Sequence, residues 1–338
     1  MSLVKKTSFH INNTMSKVNF SFEKSPTGTP VCIVSGGELN NKYLYLHDNY
    51  GISKNKPNKL ELGKNKLMKL APRKYAEVMA MLEEAYRKKI PLEHLQIDVP
   101  GAKAYYEEMI MDNDDGEGRT QITLPYGSMF NIVPSPDPKK RQVYYIAGSS
   151  GSGKSYISKQ LAEYYQKFFP DRPIYLISKL KEDSTLDSMK KPCIRIDTDK
   201  LFANPLKDLN MLENSMVIFD DYDTFLPKEN KIIQDLINDI AIMGRHQNIT
   251  MVCNSHFLSN YSKTRLLLME TTHFILFPLS TSSHALSYLL KNYLGLTTQD
   301  ISTITQGGSR WICLYKNFPM YYITENKAGL INDNRKEE

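Results

Sequence analysis

The residues best suited to chemistry form a glycine- and serine-rich stretch between an apolar run and an amphipathic one. The stretch fits the pattern G-x-x-x-x-G-K-[ST], at Gly148, Ser149, Ser150, Gly151, Ser152, Gly153, Lys154 and Ser155. Glycines let the backbone curl so that successive N–H groups point at one centre, and a helix starting there adds the positive end of its dipole. The pattern predicts a cradle for the phosphates of ATP, with Lys154 at the β- and γ-phosphates and the Ser155 hydroxyl on Mg²⁺.

A second group of candidate residues follows the apolar sequence MVIF at 216–219. A buried strand that ends in carboxylates can present them to a bound metal ion and to a water molecule. Asp220 is expected to hold Mg²⁺ through water, and Asp221 to orient the water that attacks the γ-phosphate. Asp223 is an alternative base, although its position two residues further along predicts that it faces elsewhere. A solvated strand end followed by a turn is the alternative for the whole segment.

A third group of polar residues surrounds the apolar run at 249–253 in GRHQNITMVCNSH. In ATPases whose sheet has an extra strand between the other two, a polar residue at the end of that strand senses the γ-phosphate. Asn254 is the first candidate for this role and His256 the second, with a simple strand cap as the alternative. Arg245 and Arg265 flank the run, and either could stabilise phosphate charge at a neighbouring subunit's nucleotide. Either arginine could equally bind DNA or an acidic partner.

Alternating strands and helices are predicted around these residues. Apolar runs typical of buried strands lie at 143–147, 174–178, 193–196, 216–219, 249–253 and 273–277. Amphipathic stretches predict helices at 155–169, 229–243 and 281–294. RWICLYKNFPMYYIT predicts a closing hairpin. Such alternation is typical of an α/β fold, with a mostly parallel sheet covered by helices on both faces.

The N-terminal third of the chain has a different pattern. Short β-like runs lie between residues 18 and 48, a Lys-rich loop follows, and a helix is predicted from Pro72. The predicted organisation is an N-terminal α+β region at 1–118, a phosphate-loop ATPase domain at 119–330 and a polar tail at 331–338. The sequence DNDDGEG at the end of the first region is interpreted as a turn or linker, because its glycine is misplaced for a calcium loop.

Composition and charge limit the classes of protein to consider. The chain has 338 residues, 41% hydrophobic and 24% charged, which is ordinary for a globular protein with a sizeable core. No apolar run approaches the ~20 residues of a membrane span, and the N-terminus lacks the apolar segment of a secretion signal. The 4 cysteines lie far apart without a CxxC pair, so neither a zinc site nor a disulfide framework is indicated. The net charge of +6 and the Lys-rich loop suit a polyanion, although a solvated loop explains the lysines equally well.

Four segments in this order resemble the viral DNA-packaging ATPases of poxviruses and giant viruses, within the FtsK/HerA superfamily of P-loop NTPases. They are GSSGSGKS, VIFDD, GRHQNITMVCNSH and SRWICLYKNFPMYYI, and the resemblance covers residues 120–325. It implies an ASCE/RecA-like fold, with the first two segments as the Walker A and Walker B motifs. It also implies a homo-oligomeric ring that hydrolyses ATP to move double-stranded DNA into a capsid. Capsid or portal-vertex proteins would be further partners, in the cytoplasm of an infected host cell or in the virion.

Other functions that use the same loop are less consistent with the sequence. A P-loop kinase needs an arginine-rich lid, and no such segment follows the second motif; an ABC-type ATPase needs an LSGGQ-like segment before it. A regulatory paralogue that binds nucleotide without hydrolysing it stays open, because Asp221 is one methylene shorter than the glutamate usual in hydrolytic members of the superfamily. Many relatives also end the sensor strand in glutamine, where this chain has Asn254 or His256. The sequence favours the DNA-translocating ATPase.

Overall fold

The computed structural model describes residues 18–24, 28–47, 66–88, 90, 94–103, 105–106 and 121–331. The chain divides into two compact units, one formed by Met1–Asn19 with His47–Arg119 and the other by Phe20–Leu46 with Thr120–Glu338. The Lys-rich loop up to residue 65, the sequence DNDDGEG and the polar tail after residue 331 lie outside the described residues.

The smaller unit is built around helix α1 (Pro72–Arg87). Val78 and Leu82, four residues apart, lie on the same side of this helix and are buried. They belong to a small apolar cluster with residues after the helix, namely Leu95, Ile97, Ala102 and Tyr106. The helix begins at the proline predicted from the sequence, because the fixed φ of proline suits the first turn and its missing N–H costs no helical bond there.

A four-stranded sheet lies almost entirely in the larger unit. Its strands are β1 (Asn19–Ser21), β2 (Gly28–Ser35), β3 (Tyr43–His47) and β5 (Met129–Ile132), in the order β1-β3-β2-β5. β5 pairs antiparallel with β2, with Cys32 opposite Ile132. The first three strands were predicted as part of the N-terminal region ending at residue 118. The pairing with β5 is the physical reason why they group with the larger unit.

A ten-stranded sheet forms the centre of the larger unit. Its strands are β4 (Gln121–Thr123), β6 (Val143–Ala147), β7 (Ile174–Ser178), β8 (Ile194–Arg195), β9 (Met216–Asp220), β10 (Thr250–Ser255), β11 (His273–Leu276), β12 (Ile312–Tyr315), β13 (Tyr321–Thr324) and β14 (Lys327–Leu330). The order is β4-β14-β13-β12-β11-β6-β10-β9-β7-β8. From β11 to β8 all neighbours run parallel, and from β11 to β4 they run antiparallel. The prediction of a mostly parallel sheet with helices is confirmed.

Helices connect the strands of this sheet. They are α2 (Lys154–Phe168), α3 (Thr198–Ala203), α4 (Pro227–Met243), α5 (Tyr261–Glu270), α6 (Ser283–Leu294) and α7 (Thr298–Thr305). The apolar stripe of α4 is buried in the main core. α6 begins where the Ser282 hydroxyl accepts from the Ala285 N–H and ends at Gly295, whose φ of 71° favours glycine. No helix in the described ranges is long and apolar enough to span a membrane.

The order of the central strands determines which residues can meet. β10 lies between β6 and β9, so the carboxyl ends of all three strands reach the same edge of the sheet. The sequence prediction ended this strand at residue 253, but Asn254 and Ser255 continue it and pair with Ile146 and Ala147. These two polar residues stay in a fully buried strand because their side chains bond to aspartates at the end of β9 and just after it.

Candidate nucleotide-binding site

The glycine-rich stretch forms the loop between β6 and α2, as the pattern predicted. Gly151 has a φ of 74° and Gly153 a φ of 113°, in the left-handed region that favours glycine. Gly148 is required for another reason: a Cβ there would lie 2.7 Å from the Phe277 ring and 2.8 Å from the Ser152 hydroxyl. The loop therefore curls tightly against Phe277 and delivers the chain to the first turn of α2.

Lys154 is the first residue of α2, and its side chain is only 6% exposed. Its Nζ donates to the carbonyl oxygens of Gly148 at 3.0 Å and Ser149 at 3.2 Å. Burial lowers the pKa of the ammonium, and the carboxylates of Asp221, Asp223 and Asp220 partly offset this effect. The cation thus lies inside the curl of the loop, where a polyphosphate would need it.

Asp220 is the last residue of β9 and is almost completely buried. Burial is the main cause that raises its pKa to about 6; the Asp221 and Asp183 carboxylates add to the rise, and the Asn254 hydrogen bond and Lys154 oppose it. The Asn254 amide donates to Asp220 Oδ1 at 2.6 Å. Its own oxygen accepts from the Ser158 hydroxyl at 2.8 Å. Asn254 therefore connects the helix after the loop to the metal-binding candidate Asp220.

Asp221 follows β9 directly and adopts a left-handed conformation, with φ 45° and ψ 39°. For a residue with a Cβ this conformation costs roughly 1–2 kcal/mol, and such residues cluster at functional sites. Its carboxylate oxygen Oδ1 lies 4.0 Å from Lys154 Nζ and 3.6 Å from His256 Nε2. The side chain is 30% exposed, so it can meet a ligand above the loop.

The prediction that Asp223 faces away from this cluster is wrong. The short helical turn Tyr222–Thr224 redirects the chain so that Asp223 faces the end of β10. Its carboxylate accepts from the His256 backbone N–H at 2.7 Å and the Ser255 hydroxyl at 2.9 Å, and lies 3.0 Å from His256 Nδ1. Asp223 and His256 therefore belong to the same group of side chains as Asp221.

A magnesium ion fits the donors present at this site. The candidate ligands are the Ser155 hydroxyl, one residue after Lys154 in α2, and the Asp220 carboxylate. Mg²⁺ is usually held by one or two protein oxygens together with phosphates and water, which matches such a sparse set. Within the described ranges, no cluster of three or more His, Cys, Asp or Glu residues could hold a metal by itself. The site therefore suits a metal that arrives with a phosphate ligand.

Of the two predicted arginines, Arg245 lies apart from the residues already brought together. Arg245 is exposed and precedes the amino end of β10, whereas the loop and the aspartates lie at the carboxyl ends of the strands. It lines a pocket of about 410 Å³ with three further cations, Lys139, Lys140 and Arg141. Arg265 lies on the exposed side of α5. The structure thus unites Lys154, Asp220, Asp221 and Asn254, while Arg245 lies at the opposite edge of the sheet.

Sequence reasoning missed Ser158 and the contact between Asp223 and His256. Ser158 lies one helical turn after Lys154 and is completely buried. Its position i+4 from the lysine could have placed it on the same face of α2. The pairing of Asp223 with His256 has no comparable local signal, because it joins the turn after β9 to the residue that follows β10.

The loop, the aspartates at the end of β9 and the intervening strand β10 define an α/β protein with the P-loop NTPase fold. No protein-family model matches the chain. It is 35% identical over 231 residues to the uncharacterized protein V3 of Sputnik virophage, a match that covers 68% of this chain and 89% of V3. The chain belongs to the same family as V3.

Solved structures with a similar fold were also found, at lower similarity. The DNA-packaging ATPase B204 of Sulfolobus turreted icosahedral virus is 16% identical, with a TM-score of 0.40, over 54% of this chain and 97% of B204. The conjugation coupling protein TcpA of pCW3 is 14% identical, with a TM-score of 0.38, over 62% of this chain and 66% of TcpA. The type VII secretion ATPase EccC of Thermomonospora curvata is 14% identical, with a TM-score of 0.41, over 61% of this chain and 28% of EccC.

Proposed function

We propose that this protein is an ATP-hydrolysing motor that translocates double-stranded DNA and packages a viral genome into its capsid. The observation that carries the proposal is the meeting of Lys154, Asp220, Asp221 and Asn254 at one edge of the sheet, beside a glycine-rich loop. A cation, a buried carboxylate and a second, more exposed carboxylate are the groups that phosphoryl transfer to water requires.

In the proposed reaction, ATP binds with its phosphates in the loop and Lys154 exchanges the carbonyls of Gly148 and Ser149 for phosphate oxygens. Ser155 and, through water, Asp220 would hold Mg²⁺, which would supply positive charge to the phosphates. Asp221 accepts a hydrogen bond from a water molecule and aligns it for in-line attack on the γ-phosphorus. The bond to the ADP oxygen then breaks as the new P–O bond forms.

Asn254 is proposed to transmit the state of the nucleotide. Its amide joins Asp220 to Ser158 of α2, and all three side chains are buried. A shift of the Asp220 carboxylate on nucleotide binding would therefore pull on Asn254, and through β10 on the segments at both ends of that strand. Coupling of this kind would convert γ-phosphate release into movement of a DNA-bound surface.

The packaging role is supported by the viral context of the family and by the resemblance of the four motifs. V3 is a virophage protein, and the net charge of +6 suits a partner made of phosphates. In this proposal the subunits form a ring around the duplex, an arginine from the adjacent subunit completes each site, and capsid or portal-vertex proteins anchor the ring. The place of action is the viral factory in the host cytoplasm, or the virion.

The rate of ATP hydrolysis with and without duplex DNA tests this proposal. The wild-type protein should hydrolyse ATP in the presence of Mg²⁺, and duplex DNA should raise the rate at low salt, with the effect fading steeply as salt rises. Lys154→Ala should abolish hydrolysis, since it removes the cation at the phosphates. Lys167→Ala, near the other end of the same helix, is the matched control and should leave the rate within about twofold. An assembled protein whose rate ignores DNA would contradict the motor.

A further inference from the structure

A histidine lies between two carboxylates next to the proposed site. His256 Nδ1 is 3.0 Å from Asp223 Oδ1, and His256 Nε2 is 3.6 Å from Asp221 Oδ1. Asp221 in turn is 4.0 Å from the Lys154 ammonium. The four side chains thus form a continuous line from the end of β10 to the glycine-rich loop. The proposed reaction gives no role to the two residues farthest from the loop, His256 and Asp223.

The part of this line formed by Asp223 and His256 is held in place by several contacts. The Asp223 side chain is 4% exposed and accepts from the His256 backbone N–H and the Ser255 hydroxyl as well as facing the imidazole. An ionised carboxylate can only accept hydrogen bonds, so the ring must carry a proton on Nδ1. Three contacts hold the buried carboxylate, one of them to the ring, and the ring held at Nδ1 places Nε2 3.6 Å from Asp221 Oδ1.

Asp221, which lies between His256 and Lys154 in this line, needs a contact that holds its carboxylate in place. Asp221 follows β9 in a strained left-handed conformation. Its side chain is short, and the Lys154 ammonium lies close enough to attract its carboxylate. A carboxylate drawn fully onto the lysine could not face a water molecule above the γ-phosphate. His256 Nε2, 3.6 Å from the same carboxylate oxygen, is a second neighbour that limits that movement.

We infer that His256, held by Asp223, is a positioning residue that keeps the Asp221 carboxylate directed at the attacking water. The inference rests on the proposed function, because it assigns His256 a role in the same hydrolysis. It predicts that His256 affects the chemical step and leaves nucleotide binding alone, since the loop and Lys154 bind the phosphates. If His256 and Asp223 served only to cap β10, their loss would alter stability and leave the turnover of folded protein unchanged.

The experiment compares His256→Ala, His256→Gln and His256→Asn in the full chain. His256→Ala should lower kcat by about 10- to 100-fold, the usual effect of displacing a catalytic group by about an ångström. KM and the affinity for a fluorescent ATP analogue should stay within about twofold. Glutamine places an amide nitrogen near the position of Nε2, so His256→Gln should recover part of kcat, whereas the shorter asparagine should not. His284→Ala, an exposed histidine of α6, is the matched control.

Asp223→Asn tests the part of the line formed by Asp223 and His256. It should lower kcat to about the level of His256→Ala, and the double variant should be no slower, because both changes release the same ring. A kcat within twofold of wild type for His256→Ala, or equal losses of kcat and nucleotide affinity, would overturn the inference while the wild-type ATPase stands. Absence of hydrolysis by the wild-type protein would instead reject the proposed function, and the inference with it. Should His256→Ala fail to fold, the comparison of the glutamine and asparagine variants decides.

Discussion

Asp220 is the residue at which stability and function conflict most directly. Its carboxylate is almost completely buried, and that burial raises its pKa to about 6. The ionised form needed to hold a metal is therefore the form that the fold disfavours near neutral pH. The hydrogen bond from Asn254 and the charge of Lys154 offset part of the penalty. Carboxyl groups with pKa values shifted in this way cluster at functional sites, which supports the proposed role of Asp220 as a metal ligand.

This conflict predicts that Asp220→Asn stabilises the protein at pH 8 in metal-free buffer. The folded-state pKa of about 6 lies above the unfolded value of 3.8, so the folded state binds the proton more tightly; the penalty grows as pH rises from about 4 to 6 and is fully present above that range. The gain should be about 1–3 kcal/mol at pH 8 and should disappear as pH falls toward 4. Unfolding followed by the fluorescence of Trp311, the single tryptophan, measures it.

The exposed Asp235→Asn of α4 is the control for this measurement and should change the free energy of unfolding by less than about 0.5 kcal/mol. A gain for Asp220→Asn that is equal at pH 5 and pH 8 would mean that packing, rather than charge, is its cause.

The residues of the site differ in how far the sequence could predict them. Lys154 and Ser155 lie in one contiguous motif, and Asp220 and Asp221 directly follow an apolar run, so local patterns were enough. The contact between Asp223 and His256 joins residues 33 positions apart, and that between Ser158 and Asn254 joins residues 96 apart. Such contacts depend on β10 inserting between β6 and β9, and the sequence only implied that order by resemblance.

The elements that position the site are held by the main core. β9 ends at Asp220 and Asp221 follows it directly; helix α4 comes after them with a stripe of buried aliphatic residues, Ile233, Leu236, Ile237 and Ile240. This stripe belongs to the same apolar cluster as Phe219 of β9 and Cys253 of β10. Packing of α4 against the core is therefore what keeps the carboxyl ends of these strands in register.

Two isoleucines on the same helix test this packing. Ile237 is fully buried, so Ile237→Ala should lower the free energy of unfolding by about 2–5 kcal/mol through lost burial and a residual cavity. Ile242 is 53% exposed, and Ile242→Ala should lower the free energy of unfolding by less than about 1 kcal/mol. Both variants change isoleucine to alanine in the same helix, so the change in helix propensity is the same in each. Urea unfolding of both variants gives the comparison. Equal losses would mean that α4 contributes through its own helicity rather than through the core.

Strands and helices in the second half of the chain were predictable because their patterns are local and complete. β6 and β7 occupy the predicted residues, and α4 begins two residues before its predicted start, at Pro227. β14 was not predicted, since it is short and includes a glycine. Gly329 pairs with Tyr322 of β13, and the Tyr322 ring occupies the space that a Cβ at Gly329 would need. The pairing of the early strands β1, β2 and β3 with β5 was also not predicted, because β5 completes their sheet from far along the chain.

At the scale of the whole molecule, the cations that the described residues place at the site would neutralise a bound triphosphate only in part. Lys154 is the cation that the structure places among the aspartates of the site, and those aspartates add negative charge of their own. A magnesium ion supplies two positive charges, but the charge that develops during transfer calls for one more cation at the γ-phosphate. Arg245 shares its pocket with Lys139, Lys140 and Arg141, a cluster better suited to a DNA backbone than to one phosphate. Arg265 is therefore the better candidate to act on the nucleotide of an adjacent subunit.

Mixing two inactive variants tests whether Arg265 acts between subunits. Lys154→Ala and Arg265→Ala should each abolish hydrolysis, but in co-assembled rings an intact loop can meet an intact arginine from its neighbour. Random mixing in equal amounts completes about a quarter of the interfaces, so about a quarter of the wild-type rate should return. Lys154→Ala mixed with Asp221→Ala is the control and should stay inactive, because both residues belong to one subunit's site and no arrangement completes it. A mixture with Arg265→Ala that also stays inactive would place the missing cation elsewhere, since only a residue supplied by the neighbour can be restored in this way.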